Sequence, residues 1–359
     1  MKKIAWPDTR ITELLEIRYP IIQAPMADGV STPALVAAVS NAGGLGSLGA
    51  GYMQPEDLRQ AIIDIRSLTQ KPFAVNLFVP EPIKEDAERI VQANEFLSPY
   101  REQLNIPDSD PLAREQPNYI EQLGVLFEES VEIISFTFGV PGEAEMDTIK
   151  QLGITTIGTA THLLEAILLE ESGLDMVVAQ GIEAGGHRGT FLGTPEQGMT
   201  GSMVLLPLLA DHLHLPYAAA GGIMDARGIA AALKLGAEAV QIGTAFLACP
   251  ESGAHATYKE TLLHSTELTT VLTRAFSGKL GRSLKNRFIT ELHQAEPFLP
   301  GYPMQNVLTQ DIRQAAAEQN KPELMAMWAG QGCAMVRDLP AAELMREWIE
   351  QTTELLNQD

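Results

Sequence analysis

The stretch YAAAGGIMDARGIAAALKLGAEAVQIGT, Tyr217 to Thr244, carries the fold in miniature. A four-residue apolar run, Tyr217 to Ala220, ends on the paired glycines Gly221 and Gly222. Asp225 then stands where a helix N-cap belongs, and Asp225 to Leu235 has helical length and spacing. A second apolar run, Ala239 to Ile242, ends on Gly243 and Thr244. Strands that are apolar throughout, joined by a helix, mark a parallel βα unit buried on both faces.

The same unit repeats upstream. Strands are expected over Ile21–Met26, Gly44–Gly49, Phe73–Phe78, Glu132–Phe138, Thr155–Thr159 and Asp175–Gln180. Helix-length segments lie between them: Thr32–Gly43 with Pro33 at its first position, Pro55–Thr69, Ala144–Leu152, Thr161–Ser172 and Gly201–His212. Eight such strands predict an α/β protein, a (β/α)8 barrel of TIM type, with an open doubly wound sheet as the alternative. Two stretches break the rhythm. Residues 80–122 are polar and read as an insertion after strand 3, outside the barrel. Residues 250–359 offer no further strand and read as a helical segment covering one side of it. No Gly/Ser-rich linker divides the chain, so residues 1–359 are expected to form a single barrel chain.

Bulk composition narrows the function. Of 359 residues 45% are hydrophobic and 20% charged, which is globular. Lys and Arg number 25 against 46 Asp and Glu, a net charge of −21 whose field repels nucleic acids and anionic membranes. The one basic run, Lys279, Arg282, Lys285 and Arg287, reads as a solvated face. Cys249 and Cys333 cannot build a disulfide framework or a cysteine-type zinc site. His212 and His214 have no further ligands nearby, so no metal is expected. The N-terminus lacks the apolar core of a signal peptide, and no window reaches the roughly 18 apolar residues of a membrane span. A cytoplasmic protein is expected; the sequence leaves a homo-oligomer open.

Chemistry concentrates at the strand ends. Gly221 with Gly222, and Gly243 with Thr244, stand where barrels commonly bind phosphate, because glycine lets backbone N–H groups approach an anion. Gly44, Gly46 and Gly49 spell GxGxxG, but they follow a helix instead of opening one, so close packing is their expected role. His187 sits among Gly185, Gly186 and Gly189 after the sixth strand, and imidazole exchanges protons near neutral pH. Glu183 either orients it or faces solvent. Asn76 can present both donor and acceptor to a ring edge, and Pro25 and Met26 close the first strand.

Six motifs in order, QAPMA (Gln23–Ala27), NAGGLGSLG (Asn41–Gly49), AVNLF (Ala74–Phe78), QGIEAGGHRG (Gln180–Gly189), AAGGI (Ala219–Ile223) and QIGTAF (Gln241–Phe246), resemble the nitronate monooxygenase family, once called 2-nitropropane dioxygenases. FSGKLGRSLKNRF and WAGQG extend the likeness over nearly the whole chain. The resemblance implies an FMN-dependent barrel that oxidises alkyl nitronates, such as the toxic propionate 3-nitronate, with O2 to a carbonyl compound and nitrite or nitrate. It places FMN against Asn76, Gln180, Gly185, Gly222, Gln241, Ile242, Gly243 and Thr244, and makes His187 the active-site histidine. His187 would bind the anionic nitronate or take the α-proton of a neutral nitroalkane. A small-molecule nitronate and O2 are then the partners. The sister family, the FMN-dependent enoyl-acyl-carrier-protein reductases, shares these loops but uses NAD(P)H. Ala24-Pro25-Met26 favours the monooxygenase over the Gly-Gly-Met more usual there. The IMP dehydrogenase group needs a cysteine in the sixth-strand loop, which is absent. Were the C-terminal segment to close over the substrate, Arg282 or Lys285 would be the cation to reach its anion.

Overall fold

The computed structural model describes residues 6–81, 87–107, 112 and 116–357. Nine strands come first in chain order: β1 (Ile21–Gln23), β2 (Gly46–Gly49), β3 (Phe73–Phe78), β4 (Ile133–Thr137), β5 (Thr155–Ala160), β6 (Met176–Gln180), β7 (Gly186–His187), β8 (Tyr217–Ala220) and β9 (Ala239–Ile242). All but β7 form one parallel sheet in the order β1-β9-β8-β6-β5-β4-β3-β2. Its ends meet: Gln23 N–H donates to Leu45 O and Leu45 N–H to Ile21 O, and Ile22 bridges Leu45. The ring is therefore a (β/α)8 barrel of TIM type. Its helices are α1 (Arg10–Leu14), α2 (Pro33–Asn41), α3 (Pro55–Leu68), α4 (Ala87–Leu104), α5 (Tyr119–Glu128), α6 (Glu143–Gln151), α7 (Leu163–Glu171), α8 (Ser202–His212) and α9 (Ala226–Lys234).

Strand parity decides what faces where. Ile22, Ala74, Ile157, Met176, Val178, Ala218, Ala220 and Ala239 fill the barrel interior, with Ile11 of α1 and Leu15 at its C-terminal end against them. Their neighbours Ile21, Val75, Leu77, Val177, Ala179, Ala219, Val240 and Ile242 pack outward against the helices. Because side chains alternate along a strand, the same parity turns Asn76, Gln180 and Gln241 inward at the C-terminal ends of β3, β6 and β9. That end of a barrel is where catalytic groups collect.

The glycines of GGLGSLG pack as expected. A Cβ on Gly46 would lie 2.0 Å from Val36 O, and one on Gly49 would lie 2.6 Å from Ala27 N. Asp225 caps α9 as read, accepting from Arg227 N–H at 2.9 Å and Gly228 N–H at 3.4 Å. Asp225→Ala should cost about 1 kcal/mol, visible as a lower denaturation midpoint at unchanged slope.

Two expectations need correction. The segment after residue 250 is not purely helical: β10 (Thr270–Thr273) and β11 (Gly281–Leu284) pair antiparallel, and β11 also pairs with β7. Both strands are short and polar, so hydrophobic alternation does not announce them. The helices there are α10 (Ala256–Leu263), α11 (Arg287–Leu292), α12 (Met304–Leu308), α13 (Gln310–Glu318) and α14 (Ala341–Asn357). The stretch 80–122 divides as well. Ala93, Leu97, Tyr100 and Leu104 of α4 join a second core with Phe276, Phe288, Leu308 and Ile312, away from the barrel. Tyr119 and Leu123 of α5 belong to the barrel's own outer layer, so a barrel helix begins inside that range. Residues 82–86, 108–111 and 113–115 of the stretch lie outside the described residues.

Candidate active site

A cavity of about 510 Å³ opens at the C-terminal ends of the barrel strands. Pro25, Met26, Asn76, Gln180, Gly185, His187, Gly221, Gly222, Gln241, Gly243 and Thr244 all line it. Ile242 does not. It is 1% exposed in the layer between strands and helices, because parity turns it away from Gln241.

The phosphate-type grip is built from loop backbone. Gly221 and Gly222 both have positive φ, 109° and 72°, which glycine adopts without strain. The N–H groups of Gly222, Ile223 and Gly243 donate to no described residue. The first N–H groups of α9 are taken by Asp225, so any anion here meets the loops and not that helix. Thr244 Oγ1 accepts from Gly330 N–H at 3.0 Å, and a Cβ on Gly185 would lie 2.5 Å from Gly330 N. The WAGQG stretch thus presses against this corner, a placement that sequence spacing could not give.

His187 is half-buried between aromatic rings. Trp328 lies 4.7 Å from its centroid, Phe138 6.0 Å and Tyr302 6.1 Å. Phe138 is strained, a bulky residue at φ 75° at the end of β4, and such strain is characteristic of functional sites. His187 Nε2 meets Ser277 Oγ at 2.8 Å, while Ser277 Oγ–H donates to Lys279 O at 3.1 Å. With its proton used there, Ser277 accepts from Nε2–H, which assigns that tautomer and leaves Nδ1 as the basic nitrogen. Burial, then the charges of Lys279 and Arg313, push the imidazole down to about 3. It is neutral at physiological pH.

The histidine loop is pinned at many points. Gln180 Nε2–H donates to His187 O at 3.0 Å, and its Oε1 accepts from Gly189 N–H at 2.8 Å. His187 pairs with Gly281 across β7 and β11. Asn76 turns its amide N–H₂ toward Ser135 and Thr137, leaving Oδ1 without a donor among the described residues. Glu183 neither orients His187 nor faces solvent: its carboxylate accepts from Ser202 N–H and Oγ–H at the start of α8.

Neither expected cation reaches the cavity. Arg282 is buried, with Nη2 donating to Ile182 O at 3.2 Å, and Lys285 is exposed. The residues that sequence reasoning missed are Tyr52, Ser277, Arg313 and Trp328. Ser277, Arg313 and Trp328 lie far along the chain from the His187 loop, and Tyr52 follows shortly after β2. Among the described residues no cluster of His, Cys, Asp and Glu could hold a metal ion, and no helix is long and apolar enough to cross a membrane.

Known proteins resemble the chain over its length. The sequence profile of the nitronate monooxygenase family matches residues 8–351. A probable nitronate monooxygenase of Staphylococcus saprophyticus is 43% identical over 351 residues, 97% of this chain and 99% of that protein. The structure of a nitroalkane oxidase from Streptomyces ansochromogenes superposes with a TM-score of 0.90 at 40% identity, covering 97% of this chain and 99% of that one. FabK from Thermotoga maritima follows at a TM-score of 0.77 and 31% identity, with 98% of both chains covered.

Proposed function

The chain belongs to the nitronate monooxygenase family and is an oxidoreductase, and from that premise we propose that it binds FMN and oxidises alkyl nitronates with O2 to a carbonyl compound and nitrite or nitrate. The observation that carries this reading is one cavity holding a backbone anion grip at one end and a neutral histidine at the other. The residues present fit a flavin phosphate: orphan N–H groups on Gly222, Ile223 and Gly243, glycine where a Cβ would intrude, and the Thr244 hydroxyl alongside. Asn76 Oδ1, which meets no donor among the described residues, together with Gln180 and Gln241, suits the polar edge of the flavin ring; Pro25 and Met26 supply apolar surface.

When bound, the flavin supplies the electron-accepting and oxygen-reducing chemistry. The protein's share is binding, orientation and proton control. Trp328, Phe138 and Tyr302 keep water from the His187 ring, and Ser277 fixes its tautomer. The substrate's anionic nitronate group then meets a neutral imidazole on which the positive charge of Lys279 bears. Propionate 3-nitronate fits this charge environment as substrate.

The likeness to FabK motivates the competing reading, a reductase using NAD(P)H. Anaerobic mixing of the yellow holoprotein with propionate 3-nitronate, and separately with NADPH, decides between them. Bleaching of the flavin band by the nitronate is expected. Bleaching by NADPH alone would replace an oxidase with a reductase, and a response to neither would leave a flavin-binding protein without this turnover.

A further inference from the structure

In a chain of charge −21, the charges that bear on His187 are positive. Lys279 is fully engaged: Nζ meets both Glu81 carboxylate oxygens at 2.8 Å and lies 4.3 Å from the Phe138 ring centroid. Arg313, on α13, is not. Its side chain is 11% exposed and lines the cavity. Nη1 donates to Asp28 Oδ2 at 3.1 Å, and Nη2 donates to Asn306 O and Oδ1 at 3.1 and 3.0 Å. Its Nε is buried with no partner among the described residues.

Tyr52 borders the same space. It lines the cavity, and its buried hydroxyl neighbours that of Tyr302, with no partner at full hydrogen-bond geometry among the described residues. Burial pushes it up to about 12, so it keeps its proton, and Arg313 lies within electrostatic reach of it. Buried donors are nearly always paired. The unpaired Nε of Arg313, with the Tyr52 hydroxyl beside its guanidinium, makes a seat for an anion, since charge-assisted bonds to Arg are strong and directional.

We propose that Arg313, with the Tyr52 hydroxyl, forms an anion subsite selecting nitronates that carry a second, remote carboxylate. The inference rests on the nitronate reading of the cavity and assigns the end of the substrate away from the reacting carbon. Asp28 tunes the subsite. It sits at φ 61° on the loop after β1, with a side chain 66% exposed, and its carboxylate competes for Arg313.

The holoenzyme is assayed on propionate 3-nitronate and on propyl-1-nitronate, the same three carbons without the carboxylate. Arg313→Gln should lower kcat/KM about 10- to 100-fold on the first and less than about 3-fold on the second. Asp28→Asn, which keeps the arginine and removes its competitor, should lower KM for propionate 3-nitronate several-fold and leave propyl-1-nitronate unmoved. Equal losses on both substrates overturn the subsite. A binding arm separates it from the functional reading: calorimetric titration with propionate should show binding that Arg313→Gln weakens at least tenfold. If the wild type oxidises neither nitronate yet binds propionate through Arg313, the oxidase reading falls and the subsite stands. If propionate binding is indifferent to Arg313, the subsite falls whatever the turnover.

Discussion

His187→Asn is expected to retain flavin and fold while turnover of neutral nitroalkanes falls about 10²- to 10⁴-fold, the usual worth of a positioned general base. Nitronates, already deprotonated, should lose less than about tenfold. The asymmetry follows from the ring's setting. Nε2–H is committed to Ser277, so Nδ1 is the nitrogen that can take a proton. Burial and then the neighbouring cations hold the imidazole down to about 3, which makes it a weak base at rest. An anion placed against the ring opposes that shift and favours the protonated form. The site is therefore better suited to nitronates than to neutral nitroalkanes, and removing the base should be felt chiefly by the latter. Equal losses on the two substrate types would assign His187 to positioning instead of proton transfer. The same shift has a stability consequence. With the folded pKa below the unfolded value of about 6.5, the unfolded chain binds the extra proton between pH 6.5 and 3. Stability supplied by the neutral ring is complete above pH 6.5 and is lost as pH falls toward 3. His187→Asn should flatten the acid limb of the denaturation-midpoint profile over that window, and an unchanged limb would contradict the depressed pKa.

The barrel was legible because its physics is local. Each strand is a short apolar run between turn residues, and parity alone turns Asn76, Gln180 and Gln241 inward and Ile242 outward. Ile242 was nonetheless grouped with the cavity, since a motif matched as a string ignores alternation. The hairpin of β10 and β11 escaped notice for the opposite reason. Gly281 and Arg282 of β11 pair with the His187 loop about 90 positions earlier and Thr270–Thr273 pairs with β11 in turn, and nothing in their own composition signals it. Arg313 and Tyr52 share this difficulty. An arginine on a polar helix looks like a surface charge until the fold sets it over the cavity. Arg282, by contrast, stands in a run that reads as a solvated face, yet the fold buries it and turns its guanidinium to the Ile182 carbonyl.

Arg188→Met should destabilise the protein by about 3–5 kcal/mol and cost it the flavin as well. A run rich in glycine, such as Gln180 to Gly189, has high conformational entropy to lose, and side-chain packing cannot hold it. Two buried ions hold it instead. Arg188, 1% exposed, donates to Gly181 O at 2.6 Å, and to Gln180 O and Gly198 O at 2.8 Å each. Burial lowers the guanidinium to about 10, well above physiological pH, so it stays charged. Glu165, 0% exposed, clamps the far end by accepting from Phe191 N–H at 2.6 Å and Leu192 N–H at 2.9 Å. Its other oxygen accepts from Thr161 N–H and Oγ–H, both at 2.7 Å. Methionine replaces only the aliphatic stem of Arg188 and offers no donor, so the Gln180, Gly181 and Gly198 carbonyls each lose a charged donor, and the nearby carboxylates of Glu183 and Glu165 lose an opposite charge. Leaving a buried carbonyl without its charged donor costs about 1–3 kcal/mol, whereas exposed ion pairs cost little. Arg10→Met supplies that contrast, since the partner of Glu238 is half exposed and its loss should cost about 1 kcal/mol or less. The loss at Arg188 should be read as a lower urea midpoint together with a reduced ratio of flavin to protein absorbance. A midpoint unmoved beyond that of Arg10→Met would show that the glycine loop is held by other means.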